Sequence, residues 1–272
     1  MICWMWHRRG RLQNTGATTS VLGLYDSTDP RIQRAHIELW KQAGLTFAAG
    51  SWWGKGGDQW YQHIDAAFAG YLERCEGLGF KICIYWEDVP GNNLDRTLRA
   101  IAQYAASPAY YKRHGLPVLF VYSRVYEKVG LDVLTALSDR YYLVLERPPV
   151  RKLPPELPLG CHWFGVPWTS PEHLLRQYNV VRDNPNWELF PLIYHGFDNT
   201  AARDPGTRWP AGGSSVEWFQ KQLRLALSAD PEHLMFPWNE MAEHSAFEPT
   251  VEFGRTYYDA MAKAVAEFIN RP

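Results

Sequence analysis

Pro117-Val118-Leu119-Phe120-Val121-Tyr122 holds the run Val118–Val121, which has no polar position at which a strand face could meet water. A strand apolar at every step is covered on both faces, as in parallel α/β sheets; a strand with one wet face alternates instead. The same pattern recurs outward from this run. β-rich stretches at Ile2–Trp6, Thr46–Trp52, Lys81–Trp86, Pro117–Tyr122, Tyr141–Glu146, Cys161–Val166, Leu189–Tyr194 and His233–Trp238 predict eight strands. Helix-period segments lie between them. Asp29-Pro30 reads as an N-cap followed by proline at the first helical position. It opens a helix with Ile32, Ala35, Leu39 and Ala43 on one face and Gly44 as its stop. Further helices fit Tyr61–Leu78, Leu94–Ala106, Leu131–Leu137, Pro171–Arg182 and Val216–Ser228, and a last one carries Tyr258, Met261, Ala262, Val265 and Phe268.

Eight strands alternating with helices or loops predict an α/β fold, a single (β/α)8 TIM barrel, over an open sheet. The 272 residues agree, since about 250 is usual for one such barrel. The Pro-rich stretch Pro148–Pro158 reads as an ordered loop, because the alternation resumes directly after it, so 1–272 is expected to be one domain. No G-x-G-x-x-G follows the first strand and no P-loop occurs, which weakens a nucleotide-binding sheet.

Lys+Arg number 28 and Asp+Glu 29, a formal net charge of -1, so no global field would gather nucleic acid or an anionic membrane. Cys3, Cys75, Cys83 and Cys161 are scattered among apolar neighbours, without zinc spacing, and are expected to be buried free thiols in a reducing compartment. No signal-peptide core and no stretch of roughly 18 apolar residues is visible, so a soluble, cytoplasmic chain is expected; a removed leader would leave no trace. No metal and no cofactor are expected: the nine histidines lie apart and H-E-x-x-H is absent. The composition is unusual in its aromatics, 13 Trp, 15 Tyr and 12 Phe. Buried Trp and Tyr need a partner for their N–H or O–H, so the surplus suggests half-wet flat surfaces as well as core, and sugar-stacking platforms are one such surface.

In a barrel, chemistry collects at the strand C-terminal ends. Those ends read Trp52-Trp53, Trp86-Glu87-Asp88, Tyr122, Glu146-Arg147, Trp163, Tyr194-His195 with Asp198-Asn199, and Trp238-Asn239-Glu240. Trp52, Trp53, Trp163 and Trp238 are candidate platforms or plain core. Glu87, Asp88, Asp198 and Asn199 are candidate partners of sugar hydroxyls or caps of their own loops. His195 and His244 are hydroxyl donors, supports of a neighbour, or locally satisfied. Glu240 and Glu243 stand three apart where the last strand breaks into a loop, a spacing that turns both into one cavity. Paired carboxylates in an aromatic pocket supply the acid and the base or nucleophile of glycoside hydrolysis; a loop with two solvated acids is the plainer reading. No G-x-S-x-G supports an esterase, and no lysine at a strand's catalytic end supports Schiff-base chemistry.

Asn239-Glu240-Met241-Ala242-Glu243, with Glu248-Pro249, resembles the N-E-W-x-E-G…E-P signature of glycoside hydrolase family 99 and of the WbsX-type proteins of bacterial polysaccharide loci. Tyr25-Asp26-Ser27-Thr28-Asp29-Pro30 ahead of His36, Ser51-Trp52-Trp53-Gly54, His114–Tyr122 and His195-Gly196-Phe197-Asp198-Asn199-Thr200 are similar to further family segments, in the family's order. The resemblance spans roughly residues 20 to 262. It implies a (β/α)8 barrel and retaining hydrolysis of α-mannosides within a glycan. One Glu deprotonates the sugar's own 2-hydroxyl, which attacks the anomeric carbon to give a 1,2-anhydro sugar. The other protonates the leaving group and then activates water. Carried over, Glu240 is the 2-hydroxyl base and Glu243 the acid/base, while Tyr122, Tyr194, Asn239 and Glu248 join the residues around the sugar. The family's Trp after the first Glu is Met241 here, and its Gly after the second is His244. The expected partner is an oligo- or polysaccharide. A glycan-assembly or glycosyl-transfer protein and a non-catalytic glycan-binding barrel remain as alternatives.

Overall fold

The computed structural model describes residues 1–8, 18–164, 169–201, 203 and 206–271. Seven strands pair in parallel and in chain order: β1 (Ile2–Trp4), β2 (Phe47–Trp52), β3 (Lys81–Trp86), β4 (Leu116–Val121), β5 (Tyr142–Glu146), β6 (Leu159–His162) and β7 (Trp187–Leu189). Trp4 faces Ser51, Ser51 faces Tyr85, and the register continues through Phe120, Val144 and Gly160 to Glu188. The eighth position is a stave rather than a regular strand. Met235 N–H donates to Pro191 O at 2.9 Å and Met235 O accepts from Ile193 on one side. On the other side Phe236 O accepts from Ile2 N–H, and Trp238 N–H donates to Ile2 O at 2.8 Å. Both flanks of the first and seventh strands are thereby joined, and the sheet curls into the expected α/β barrel. Pro191 and Pro237 lack the N–H that a longer ladder needs, which is why the predicted strands Leu189–Tyr194 and His233–Trp238 reduce to single bridges. The strand predicted over Cys161–Val166 begins earlier, at Leu159, and ends at His162; residues 165 and 166 fall outside the described residues.

Helices α1 (Pro30–Gln42), α2 (Gln59–Leu78), α3 (Leu94–Ala105), α6 (Pro171–Arg182), α7 (Val216–Leu227) and α8 (Thr256–Ile269) stand within two residues of their expected bounds. Their caps are side chains that suit the role: Asp29, Asp58, Ser170 and Ser215 each accept a first-turn N–H. After β4 the chain forms two short helices, α4 (Ser123–Val129) and α5 (Leu131–Leu137), separated by Gly130 at φ 88. Only the second was expected, because α4 is too short to show a period. No helix forms between β5 and β6, where the Pro-rich loop lies. The buried face of α1 is Gln33, His36, Ile37 and Trp40; of the expected apolar stripe, Ala43 at the C-cap is buried, while Ile32, Ala35 and Leu39 mark a half-buried flank. Both polar residues find a partner inside: Gln33 Nε2 donates to Ser27 O at 2.8 Å, and His36 Nδ1 lies 2.7 Å from Tyr71 Oη.

The barrel interior is aromatic. Phe120 stacks on Tyr85 and meets His162 and Phe190 edge-on. All four cysteines are free and buried. Among the described residues no helix is long and apolar enough to cross a membrane. Room for the rings comes from glycine: a Cβ on Gly160 would sit 2.6 Å from Phe190 Cε2 and 2.9 Å from Val144 Cγ2. Overpacked cores lose about 1–3 kcal/mol. Gly160→Ala is therefore expected to lower the unfolding free energy by an amount in that range, read as a lower urea midpoint, and an unchanged midpoint would refute tight packing at this layer.

Candidate active site

The loop after the eighth stave owes its shape to one side chain. Trp238 N–H makes the last ladder bond, to Ile2 O. The chain then leaves the barrel wall, and the Asn239 amide takes the ladder's place. Its Oδ1 accepts from Trp4 N–H at 2.7 Å and its Nδ2 donates to Trp4 O at 3.0 Å. An amide carries the same donor and acceptor as a peptide group, so it can pair with the edge of β1 as a strand would. Nδ2 also donates to Tyr25 Oη at 3.1 Å, and Tyr25 Oη donates to Glu248 Oε2 at 2.8 Å. Glu248 is fully enclosed, accepts from Ser20 Oγ, and lies 3.2 Å from His36 Nε2. Burial pushes its carboxyl up, but His36, Ser20 and Tyr25 outweigh that and hold it below the usual carboxylate range. The loop's return is pinned too: Glu248 N–H donates to Trp238 O at 2.8 Å and Phe247 N–H to Pro237 O at 3.1 Å.

Glu240 and Glu243 are carried inside that closed loop. Met241–Glu243 is a single 3-10 turn that ends on His244 at φ 48. A left-handed residue is cheapest as glycine, the residue the family-99 signature has here; His is among the types that tolerate the region. The turn aims both carboxyl groups into a cavity of about 710 Å³ at the C-terminal mouth of the barrel. Its walls are Trp4, Trp6, Trp53 and Trp60 on one part and Trp163, Phe164, Tyr194 and Phe197 elsewhere, with Glu87, Tyr122, Arg124, Glu146, Arg147, Thr169 and Arg203 among them.

Burial raises Glu240 well above the usual carboxylate range, and Glu243 and Glu87 add repulsion. Burial raises Glu243 as well, while Arg203 draws both acids down. Two interacting carboxyls shed their protons as a pair, and both hold them more tightly than solvated acids do. Glu87 is pushed up to about 7 by burial, against the bond it accepts from Ser51 Oγ at 2.7 Å and the charge of Arg124. Trp53 Nε1 donates to the same Ser51 Oγ at 3.2 Å, so the indole and the carboxyl share one anchor. Glu146 is raised by burial in spite of Arg147 and Ser123.

Of the residues singled out in the sequence, Trp53, Glu87, Tyr122, Trp163, Tyr194, Glu240 and Glu243 line the cavity. The others do not. Trp52 and Trp238 are fully enclosed and are core, not platforms. Trp52 donates to Asp65 at 3.0 Å and meets Tyr104 edge-on, and Trp238 packs on His36, Trp40 and Tyr258. Asp88 is taken by Lys128 and Tyr61. His195 lies flat on Tyr257, 3.6 Å between ring centres, and donates to Ala246 O, so it buttresses the acid loop from behind; burial lowers it to about 3, leaving it neutral. Asp198 is held by Thr200 and Arg208, and Asn199 by Thr207, and these bonds shape the loop that carries Arg203. Asn239 and Glu248 position the acids from below, and His244 ends their turn.

Sequence reading missed Trp4 and Trp6 as cavity walls, and passed over Glu146 and Arg147 although both sit at a strand end. Arg124 lies two residues past a strand end, and nothing local marks Arg203 or Trp60.

Residues 14–134 match the profile of glycosyl hydrolase family 99. Two structures of the family-99 endo-α-mannosidase of Bacteroides thetaiotaomicron, one holding bis-tris-propane, align with TM-score 0.74. Their identities are 17% and 18%, over 98% of this chain and 97% of theirs. The chain is family-99-like. A family-113 β-1,4-mannanase also shares the fold, with TM-score 0.56 at 9% identity over 99% of this chain and 98% of that one. No protein of curated function matches the sequence. The profile match supports a glycoside hydrolase. It includes Trp53, Glu87 and Tyr122; the acid pair of this family-99-like chain lies beyond it and rests on the geometry above.

A carboxyl whose folded pKa is raised adds stability below its unfolded value, near 4.5, and loses it as pH climbs toward the folded value. Glutamine stays neutral throughout. Glu240→Gln is therefore expected to raise the thermal midpoint relative to the parent at pH 8 and much less at pH 4.5. An equal shift at both pH values would contradict the burial argument.

Proposed function

We propose that this chain is a retaining glycoside hydrolase that cuts within a mannose-containing or similar polysaccharide, with residues 1–272 acting as one catalytic domain. The observation that carries the reading is the acid pair, Glu240 and Glu243, one turn apart and sunk in an aromatic-walled cavity at the barrel mouth. Substrate class and endo action are carried over from the family-99 likeness, including the endo-α-mannosidase to which the fold is similar.

In the proposed reaction Glu240 takes the proton of the sugar's 2-hydroxyl and O2 attacks the anomeric carbon, while Glu243 hands its proton to the departing oxygen. Water activated by Glu243 then opens the 1,2-anhydro ring at the anomeric carbon, and O2 recovers a proton from Glu240. The axial 2-hydroxyl of an α-mannoside lies trans to the leaving group, so attack comes along the correct line, and holding both groups on one ring makes the step effectively unimolecular. Glu243 must stay protonated near neutrality, and burial acts in that direction. Glu240, the deeper acid, must be ionised when the sugar is bound. Arg203 and the positive charge growing at the anomeric carbon both favour that form. Trp53 and Trp163 offer flat faces to the rings.

Turnover of reducing-end-labelled α-mannan is expected to fall by about 10² to 10⁴ in both Glu240→Gln and Glu243→Gln, the range for removing a general acid or base. Wild-type cleavage with both variants still active would defeat the assignment, and transfer from an activated sugar donor would favour a transferase. The two roles separate on an oligosaccharide α-fluoride, whose leaving group needs no acid. Fluoride release is expected to survive in Glu243→Gln far better than in Glu240→Gln; the reverse order would swap the roles.

A further inference from the structure

We propose that the cavity receives a glycan bearing an anionic substituent (carboxylate, sulfate or phosphate) and that Arg124 and Arg147 recognise that charge. The proposal rests on the reading of the cavity as a glycan cleft and names the class of glycan.

Arg124 enters the cavity from the first turn of α4. Its guanidinium lies 4.9 Å from the ring centre of Trp53 and 5.3 Å from that of Tyr122, so two aromatic rings orient it. Its Nε donates to the main-chain O of Glu87 at 3.3 Å. The Glu87 carboxylate lies 4.0 Å from Nη2, beyond hydrogen-bond reach, and takes its bond from Ser51 instead. Neither Nη group of Arg124 therefore makes a hydrogen bond among the described residues. A planar guanidinium held by its Nε side, with its Nη edge free, is set up to meet an oxyanion with two parallel bonds.

Arg147 reaches the cavity from the end of β5 with φ 47, a conformation that costs any residue with a Cβ. The strain is held in place: Tyr126 Oη lies 2.7 Å from both the Glu146 and the Arg147 carbonyl oxygens. Its Nε meets Glu146 Oε1 at 2.8 Å and its Nη2 donates to Ser123 at 2.9 Å, leaving Nη1 open on a side chain that is 62% exposed. Strain kept by neighbours at a cavity wall is a mark of function. Arg147 is hydrogen-bonded to Glu146, whereas Arg124 meets Glu87 only as an ion pair at 4.0 Å, which leaves its Nη donors unused by that carboxylate. The four glutamates oppose an anion less than solvated carboxylates would. Burial raises all four, and the guanidiniums of Arg124, Arg147 and Arg203 share the same walls.

The test is calorimetric titration of Glu243→Gln, which leaves ligands uncut, with one α-mannan tetrasaccharide in neutral, C6-oxidised, 6-sulfated and 6-phosphorylated forms. At least one anionic form is expected to bind about tenfold or more tightly than the neutral one, the strength of a charge-assisted contact, and which form does so identifies the anion. Arg124→Gln and Arg147→Gln, added singly, should each pull that ratio toward one, with Arg124→Lys recovering part of it. Because either arginine change could disturb folding, the preference is also measured in the Glu243→Gln protein against salt, which should erode it. Neutral binding as tight as anionic, a preference indifferent to salt, or a preference intact in both arginine variants overturns the proposal and leaves the hydrolase reading standing. Binding of none of the four forms overturns both.

Discussion

The pairing of the Asn239 amide with the backbone of Trp4 is the contact on which the rest of the site depends. A parallel barrel must close its last stave onto its first, yet its acids must leave the wall to reach the cavity. Continuing the ladder past Trp238 would hold Glu240 in the wall. Stopping it would orphan the N–H and C=O of Trp4 in a dry interior, at about 1–3 kcal/mol for each group. Asn239 resolves the conflict by bonding both groups with its side chain while its own backbone turns away. Beneath it the enclosed set Tyr25, Glu248, Ser20 and His36 leaves the clamp no freedom, and the bonds from Phe247 and Glu248 back to Pro237 and Trp238 close the loop. The two acids thus stand on a rigid mount, which keeps a constellation within the tolerance chemistry needs.

Burial sets the electrostatics of that mount. Glu87, Glu146, Glu240 and Glu243 share one cavity, and taking them out of water raises each; three guanidiniums in the same walls pull the other way. Glu248 is buried as deeply but runs opposite, since every oxygen it has meets a donor. Carboxyls of one chain therefore shift in opposite directions by environment alone: Glu248 is held below the usual carboxylate range and the four in the cavity are raised above it.

The barrel was legible because its signals are local. Val118–Val121 is apolar at every step, Asp29-Pro30 caps a helix, and such features need no knowledge of the rest of the chain. The failures have equally definite causes. The face of α1 was misplaced because His36 and Gln33 look like surface residues until Tyr71 and the Ser27 carbonyl arrive from elsewhere to pair with them. Trp52 and Trp53 are adjacent and alike, yet Trp52 ends β2 as core against Tyr104 while Trp53, just past the strand, faces the cavity.

What this sequence determined by itself was the order of strands and helices, the acid pair with its three-residue spacing, and the likeness to family 99, because periodicity, caps and motifs are written in neighbouring residues. Only the tertiary structure decided which aromatics meet the cavity, that Asn239 and Glu248 support rather than face the site, and that Arg124, Arg147 and Arg203 share it with four carboxyls. Those facts depend on burial and on partners more than two hundred residues apart in the chain, and neither distance in space nor exclusion of water is a property of any short stretch.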